Sequence, residues 1–248
     1  EAKGVEPLKP ELDAIARIRT RQDLARAIGL TLRADVDPLN NTNFETGNLF
    51  GVWIAQGLTD PSRHYPYLLQ GGLDMPDRDY YLSSSPKMAA LRSQYQVHIE
   101  TMLKLAGLAT PHVRAKRVFA LENKIAKAHS TRVESAEVQN AATWKRQELT
   151  AKAPGLDWTA LLTAAHLNDA PTFIVWHPKA ITGLSALAAS EPIDAWKDWL
   201  AFHTIEDAAA FLPKKSVDER FHFHGKALSG IPEQRPCWQR GVDITSAA

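Results

Sequence analysis

Apolar positions along this chain recur mostly at helical spacing. Thr20 followed by Asp23 has the pattern of a capping box and opens a predicted helix over 21–33. Ser85-Pro86 supplies an N-cap with proline at the first helical position. Met88, Leu91, Tyr95, Ile99, Met102 and Leu103 then share one face until Gly107 ends the helix. Thr110-Pro111 repeats the start signal, with Val118, Leu121 and Ile125 as its stripe. So short a connection predicts an antiparallel helical hairpin.

The period changes at 43–59, where Phe44, Leu49, Phe50, Val52, Trp53 and Ile54 sit among Gly47, Gly51 and Gly57. This stretch reads as β-rich, with 64–70 as its partner strand. The segments 144–153 and 157–167 read as short helices parted by Pro154-Gly155. The run 173–176 reads as an isolated extended piece. Helices are predicted again over 178–189, 192–212, 213–228 and 233–245, most of them opened by proline. The fold class expected is mainly α, a helical lobe with a small β-hairpin or sheet inserted near residues 43–70. No Gly/Ser-rich linker divides the 248 residues, so one domain is expected over 1–248.

Charge narrows the function classes. Lys plus Arg number 29 and Asp plus Glu 28, a balance that speaks against a nucleic-acid binder. No apolar run approaches the roughly 20 residues needed to span a bilayer, so no membrane segment is expected. Cys237 is the single cysteine and excludes an intrachain disulfide.

Candidate chemistry is sparse. The chain has no His-Glu-x-x-His, whose two imidazoles one helical turn apart would meet one zinc ion, and no Gly-x-Ser-x-Gly elbow, phosphate loop or dinucleotide fingerprint. His222 and His224 could share a metal in an extended segment, but in a helix they diverge by about 200°, so surface or packing roles are expected. His98 and His203 lie in helical stripes and read as core histidines with one hydrogen bond each, and Glu122 as half of a structural ion pair. Cys237, between Pro236 and Trp238, reads as a packed, inert thiol, and the seven tryptophans read as core fillers. In the turn 75–81 the charges Asp77, Arg78 and Asp79 precede Tyr80 and Tyr81. They predict a turn locked by salt bridges, with Arg78 bridging carboxylates. The residues alone therefore yield a mostly helical domain without a recognisable active site.

The stretch from Tyr67 to Leu82, with Gly71-Gly72-Leu73, Pro76 and Asp77-Arg78-Asp79-Tyr80-Tyr81, resembles a hallmark of the neprilysin-like zinc metallopeptidases. Further blocks are similar in order: 98–107, Leu121–His129, Val133-Glu134-Ser135, 153–158, 192–203 and 223–238. The resemblance covers nearly all of 8–245. Asp74 departs from the family's usual Gly, and His222 and His224 flank Phe223 where aromatic residues are more usual.

The resemblance implies the helical lobe that faces a catalytic lobe across a closed chamber and screens substrates by size. It carries no catalytic and no metal residue onto this chain, because the zinc motif positions lie downstream in the family. The site residues it does carry are the structural hallmark turn: Gly71, Gly72, Pro76, Asp77, Arg78, Asp79, Tyr80 and Tyr81. Zinc is implied for the complete enzyme, with none bound by this chain. The implied partners are a zinc-binding catalytic polypeptide or lobe and peptide substrates, and the implied compartment is periplasmic or secreted. The alternative is a truncated, non-catalytic interaction domain. A chain that packs on a catalytic partner should leave an apolar face open, whereas a stand-alone module should be polar all round.

Overall fold

The computed structural model describes residues 3–32 and 46–247. Of the expected elements, the start of the β-rich stretch at 43–45 and the end of the first predicted helix at Arg33 lie outside the described residues. The chain runs α1 (Lys9–Ala16), α2 (Arg21–Leu30), β1 (Phe50–Gln56), β2 (His64–Gln70), α3 (Arg78–Leu82), α4 (Pro86–Leu105), α5 (Pro111–Ala128) and α6 (Arg132–Ala136). It continues with β3 (Ala142–Lys145), α7 (Leu149–Lys152), α8 (Trp158–Ala164), β4 (Thr172–Val175), α9 (Pro178–Ser190), α10 (Ile193–Ala208), α11 (Lys214–Arg220) and α12 (Cys237–Ala247). A π-helical stretch, Phe221–Leu228, continues α11. The fold is mainly α with a small sheet.

Local chemistry explains most boundaries. Thr20 accepts from the Asp23 amide, and the Asp23 carboxylate accepts from the Thr20 amide, closing the capping box that starts α2. The Ser85 hydroxyl accepts from the Met88 amide at the start of α4, and Pro111 occupies the first turn of α5. α4 and α5 pack against each other as the antiparallel hairpin the short connection requires.

The sheet is larger than the sequence pattern suggests. Its four strands lie in the order β1-β2-β4-β3. β1 and β2 form the expected hairpin, with Phe50 opposite Gln70. The segment expected to be isolated at 173–176 instead supplies β4, which runs parallel to β2 with Tyr67 opposite Ile174. The segment expected to be helical from 144 begins as β3, antiparallel to β4, and Trp144 faces Phe173 across the ladder. Only Leu149–Lys152 of that segment is α-helical. A bulky aromatic pair on adjacent strands outweighs the weak helical propensity of so short a piece. The last helix begins at Cys237 rather than near 233, because Pro236 disfavours helical backbone at Arg235.

One face of the sheet, with Phe50, Val52, Leu68 and Phe173, joins a continuous core that reaches from Ile18 to Phe223 and includes Trp158, Trp196 and Trp199. The other face carries Tyr67, Leu69 and Ile174 under Trp53 and Trp176. Trp238 departs from the expected core role: it is 69% exposed. Cys237 is exposed as well rather than packed.

Candidate functional site

The hallmark residues form the loop that leaves β2 and enters α3, and neighbouring elements hold it along its length. The Gly72 amide donates to the Thr46 carbonyl at 3.0 Å. His129 from the end of α5 donates through Nε2 to the Gly71 carbonyl at 2.8 Å, and Trp199 of α10 donates to the Gly72 carbonyl at 3.3 Å. Tyr81 accepts from the Met75 amide at 3.1 Å and donates to Glu122 Oε2 at 3.1 Å. The two glycines are required by space and backbone. A Cβ at Gly71 would stand 2.2 Å from the Asn48 carbonyl oxygen, and Gly72 has φ +91°.

The salt-bridge arrangement differs from the expected one. Asp77 caps α3 by accepting from the Asp79 amide at 2.7 Å, and its other oxygen meets Arg132 Nε at 2.8 Å. Arg132, from α6, rather than the adjacent Arg78, thus pairs with Asp77. The Arg78 Nε is instead buried without a hydrogen-bond partner among the described residues. Arg78 lines a cleft of about 370 Å³ beside the loop, together with Asp74, Arg132, Glu206, Arg220 and His224.

Glu122 is fully buried and collects three donors: Tyr81 at 3.1 Å, Tyr95 at 2.7 Å and His203 Nε2 at 2.9 Å. Burial raises its carboxyl, while the Glu122 carboxylate outweighs burial at His203 and raises that imidazole. The expected single hydrogen bond of His203 and the structural pairing of Glu122 are both present. Burial, then the Glu122 charge, pushes the Tyr81 and Tyr95 hydroxyls well above their ordinary value, so both remain donors.

His98 does more than expected. Its Nδ1 lies 3.0 Å from Glu219 Oε1 and its Nε2 lies 3.2 Å from Glu206 Oε2. Glu206 Oε1 is 2.8 Å from Arg220 Nε and 3.2 Å from His224 Nε2, and His224 Nε2 is 3.2 Å from Asp74 Oδ2. The π-helical stretch separates the two candidate histidines: His224 turns into this cluster, while His222 lines an outer groove with Lys215 and Glu219. Phe223 between them is buried and stacks on His98, with ring centroids 4.9 Å apart. Burial opposes charge at His224, but Asp74 and Glu206 outweigh it and push the imidazole up to about 9. Burial likewise opposes ionisation of Glu206, and the two histidines reverse it and hold its carboxyl well below the usual range.

Sequence reasoning missed Asp74, Glu206, Arg132, Arg220, His129 and His177 as site residues. Two spacings carried part of the signal. His203 and Glu206 are three apart on α10, and Arg220 and His224 are four apart, so each pair shares a helical face.

A mainly helical fold holds a polar loop of this sequence against a buried histidine–carboxylate cluster. The N-terminal model of peptidase family M13 matches residues 1–248, and the chain belongs to that family, the neprilysin-like peptidases. It is 19% identical over 206 residues to endothelin-converting enzyme 1 of Cavia porcellus, a match covering 79% of this chain and 27% of that protein. The Bos taurus enzyme gives 19% over 207 residues. The zinc metalloprotease Zmp1 of Mycobacterium tuberculosis, solved with an inhibitor, is 28% identical with a TM-score of 0.89. That match covers 99% of this chain and 36% of the other. PepO of Lactobacillus rhamnosis, at 15% identity and a TM-score of 0.75, shares the fold. The chain therefore spans about a quarter to two-fifths of the relatives it matches.

Proposed function

We propose that this chain is the chamber-forming, non-catalytic lobe of a zinc metallopeptidase that cleaves peptides, a single lobe over 1–248. The observation that carries the reading is the Zmp1 likeness: nearly the whole chain, 99%, follows about a third of a zinc metalloprotease at a TM-score of 0.89. The chain has no His-Glu-x-x-His, so in this reading the zinc of the whole enzyme is held by residues outside it. There the metal polarises water for attack on a peptide bond. This chain walls the chamber, admits unfolded peptides and excludes folded proteins. The hallmark turn, Gly71 to Tyr81, fixes the wall beside the cleft.

The surface supports a partner that packs on the lobe. Trp238 and Val242 lie one turn apart on α12, 69% and 54% exposed, and Phe211 is 73% exposed. The Trp238–Val242 pair on one face of α12, and Phe211 exposed elsewhere at the end of the turn Ala209–Phe211, fit burial against another lobe. Among the described residues no helix is long and apolar enough to cross a membrane. The periplasmic or secreted placement rests on the family resemblance.

The test is co-expression with a polypeptide carrying the His-Glu-x-x-His segment. The expected result is zinc-dependent cleavage on the amino side of hydrophobic residues in short peptides, with folded proteins spared. If the zinc polypeptide alone cleaves peptides and folded proteins at the same rates as the pair, the chamber role is wrong.

A further inference from the structure

Three observations converge on the cluster between α4, the hallmark loop and the π-helical stretch. First, Asp74, His98 and His224 each present a ligand atom, and the three atoms lie within 4.8 Å of one another. Second, Asp74 Oδ2, His224 Nε2 and Glu206 Oε1 are buried yet make no well-directed hydrogen bond among the described residues. They nonetheless stand in contact: His224 Nε2 is 3.2 Å from Asp74 Oδ2 and 3.2 Å from Glu206 Oε1. Glu206 itself is only 3% exposed. Donor and acceptor at that distance but misaligned are poorly spent as a hydrogen bond. Nitrogen and oxygen ligands about 2.0 Å from a tetrahedral metal stand about 3.3 Å from each other. Third, His98 Nδ1 lies 3.0 Å from Glu219 Oε1. An imidazole that donates one ring nitrogen to a carboxylate has its other nitrogen fixed as a lone-pair ligand, the usual outer support of a metal-bound histidine. The other nitrogen of His98, Nε2, faces the cluster and is hydrogen-bonded to Glu206 Oε2 at 3.2 Å, a contact that a bound cation would replace.

We propose that Asp74 Oδ2, His98 Nε2 and His224 Nε2 form a site for a first-row divalent cation such as zinc, with Glu206 as the adjacent fourth carboxylate. Two imidazoles with carboxylate oxygens suit zinc and its transition-metal neighbours rather than calcium or magnesium, which prefer oxygen alone. The charges fit. The carboxylates of Asp74, Glu206 and Glu219 face one divalent ion and the guanidinium of Arg220, which is 2.8 Å from Glu206 Oε1. The cleft beside the hallmark loop is lined by Asp74, Glu206 and His224 and gives the ion a way in. A bound ion ties the loop to α4 and to the π-helical stretch, three segments far apart in sequence. This gives the chain a metal of its own, which the family resemblance did not lead one to expect.

The test uses the metal-free 248-residue chain. Titration with cobalt chloride should develop visible absorption typical of nitrogen–oxygen ligation and saturate at one equivalent. Zinc chloride should abolish the band and raise the Tm by about 5 °C or more when present at a hundred times its Kd. Asp74→Asn and His224→Gln should each remove the band and the zinc-induced shift. His222→Gln, on the outer groove, should keep both. A folded wild-type chain that gives no cobalt band overturns the proposal. So does a band or shift that survives in both Asp74→Asn and His224→Gln, because the ion would then sit on surface histidines. Should His224→Gln fail to fold, the near-isosteric Asp74→Asn decides the matter.

Discussion

Two pairs of buried residues support the hallmark loop, and they treat charge in opposite ways. On the sheet side, His129 donates to the Gly71 carbonyl and His177 accepts from the Gln70 amide at 3.2 Å. Neither has a carboxylate partner among these bonds. Burial, helped at His129 by Arg78 and at His177 by His129, pushes both imidazoles down to about 4. On the helical side, His203 is just as buried but meets Glu122, and it is raised instead. Its ring packs on Trp199, centroids 4.3 Å apart, the residue that holds the Gly72 carbonyl. The comparison shows that burial sets only the starting bias of a histidine. One carboxylate at hydrogen-bond distance reverses it, so the loop is clamped by neutral rings on one flank and an ion pair on the other.

The largest effect should come from breaking the ionic flank. Glu122→Ala leaves Tyr81, Tyr95 and His203 without their shared acceptor, and should cost about 3–5 kcal/mol, lowering the Tm by about 10 °C. Thermal unfolding checks it. A loss below about 1 kcal/mol would show that water replaces the carboxylate and that the flank is not dry.

The neutral flank is tested by acid. Unfolded histidines take up protons near pH 6.5, whereas folded His129 and His177 do so only near 4. The stability they contribute is present above pH 6.5 and is lost as pH falls toward 4. The expected slope is about 1.4 kcal/mol per pH unit for each group. Urea unfolding across that window should show it, and His177→Asn should remove about half. The raised His203 has the opposite sign: its contribution is full below about pH 6.5 and disappears as pH rises through its folded value.

Crowding the loop should cost less. Gly71→Ala sets a Cβ against the Asn48 carbonyl and should destabilise by about 1–3 kcal/mol, with the loop shifting before the core does. Smallest is the polar turn. Asp77→Ala removes the α3 cap and the Arg132 pair and should cost about 1 kcal/mol, whereas Arg78→Ala, which breaks no hydrogen bond of its Nε, should cost less. Equal losses in the two variants would restore Arg78 as the bridge.

What the sequence revealed and what it hid follow from range. The capping box at Thr20, the Ser85-Pro86 start and the α4 stripe depend on neighbours three or four residues away, and all are present. The Asp77 cap is as local. The Asp77–Arg132 pair, by contrast, spans the loop and α6, and the preference of Asp77 for Arg132 over adjacent Arg78 is set by tertiary placement. The 173–176 run was legible as extended, but its pairing was not, and β3 was hidden altogether for the same reason: four residues each, β4 is held by the edge of β2 and β3 by the edge of β4. The hallmark block revealed the family through its order of residues. The Asp74–His98–His224 cluster draws one residue from each of three distant blocks, so no single block displays it. Two of the three, Asp74 and His224, stand at departures from the family pattern, and the fold brings those departures into contact at 3.2 Å.

The parallel pairing of β2 with β4 also governs how the chain acquires its shape. Tyr67 must wait for Ile174, more than a hundred residues later, before the second edge of its strand is covered. During synthesis the hairpin of β1 and β2 emerges first, with Tyr67 and Leu69 on a bare edge and no partner strand yet made. Closing so long a loop is slow, and an uncovered edge of this kind is where nascent chains pair wrongly with one another. The sheet that anchors the hallmark loop is therefore not secured until β4, well into the second half of the chain, has been made. A ribosome-bound chain stopped before residue 172 should expose that edge to chaperones, and one extended past β4 should not.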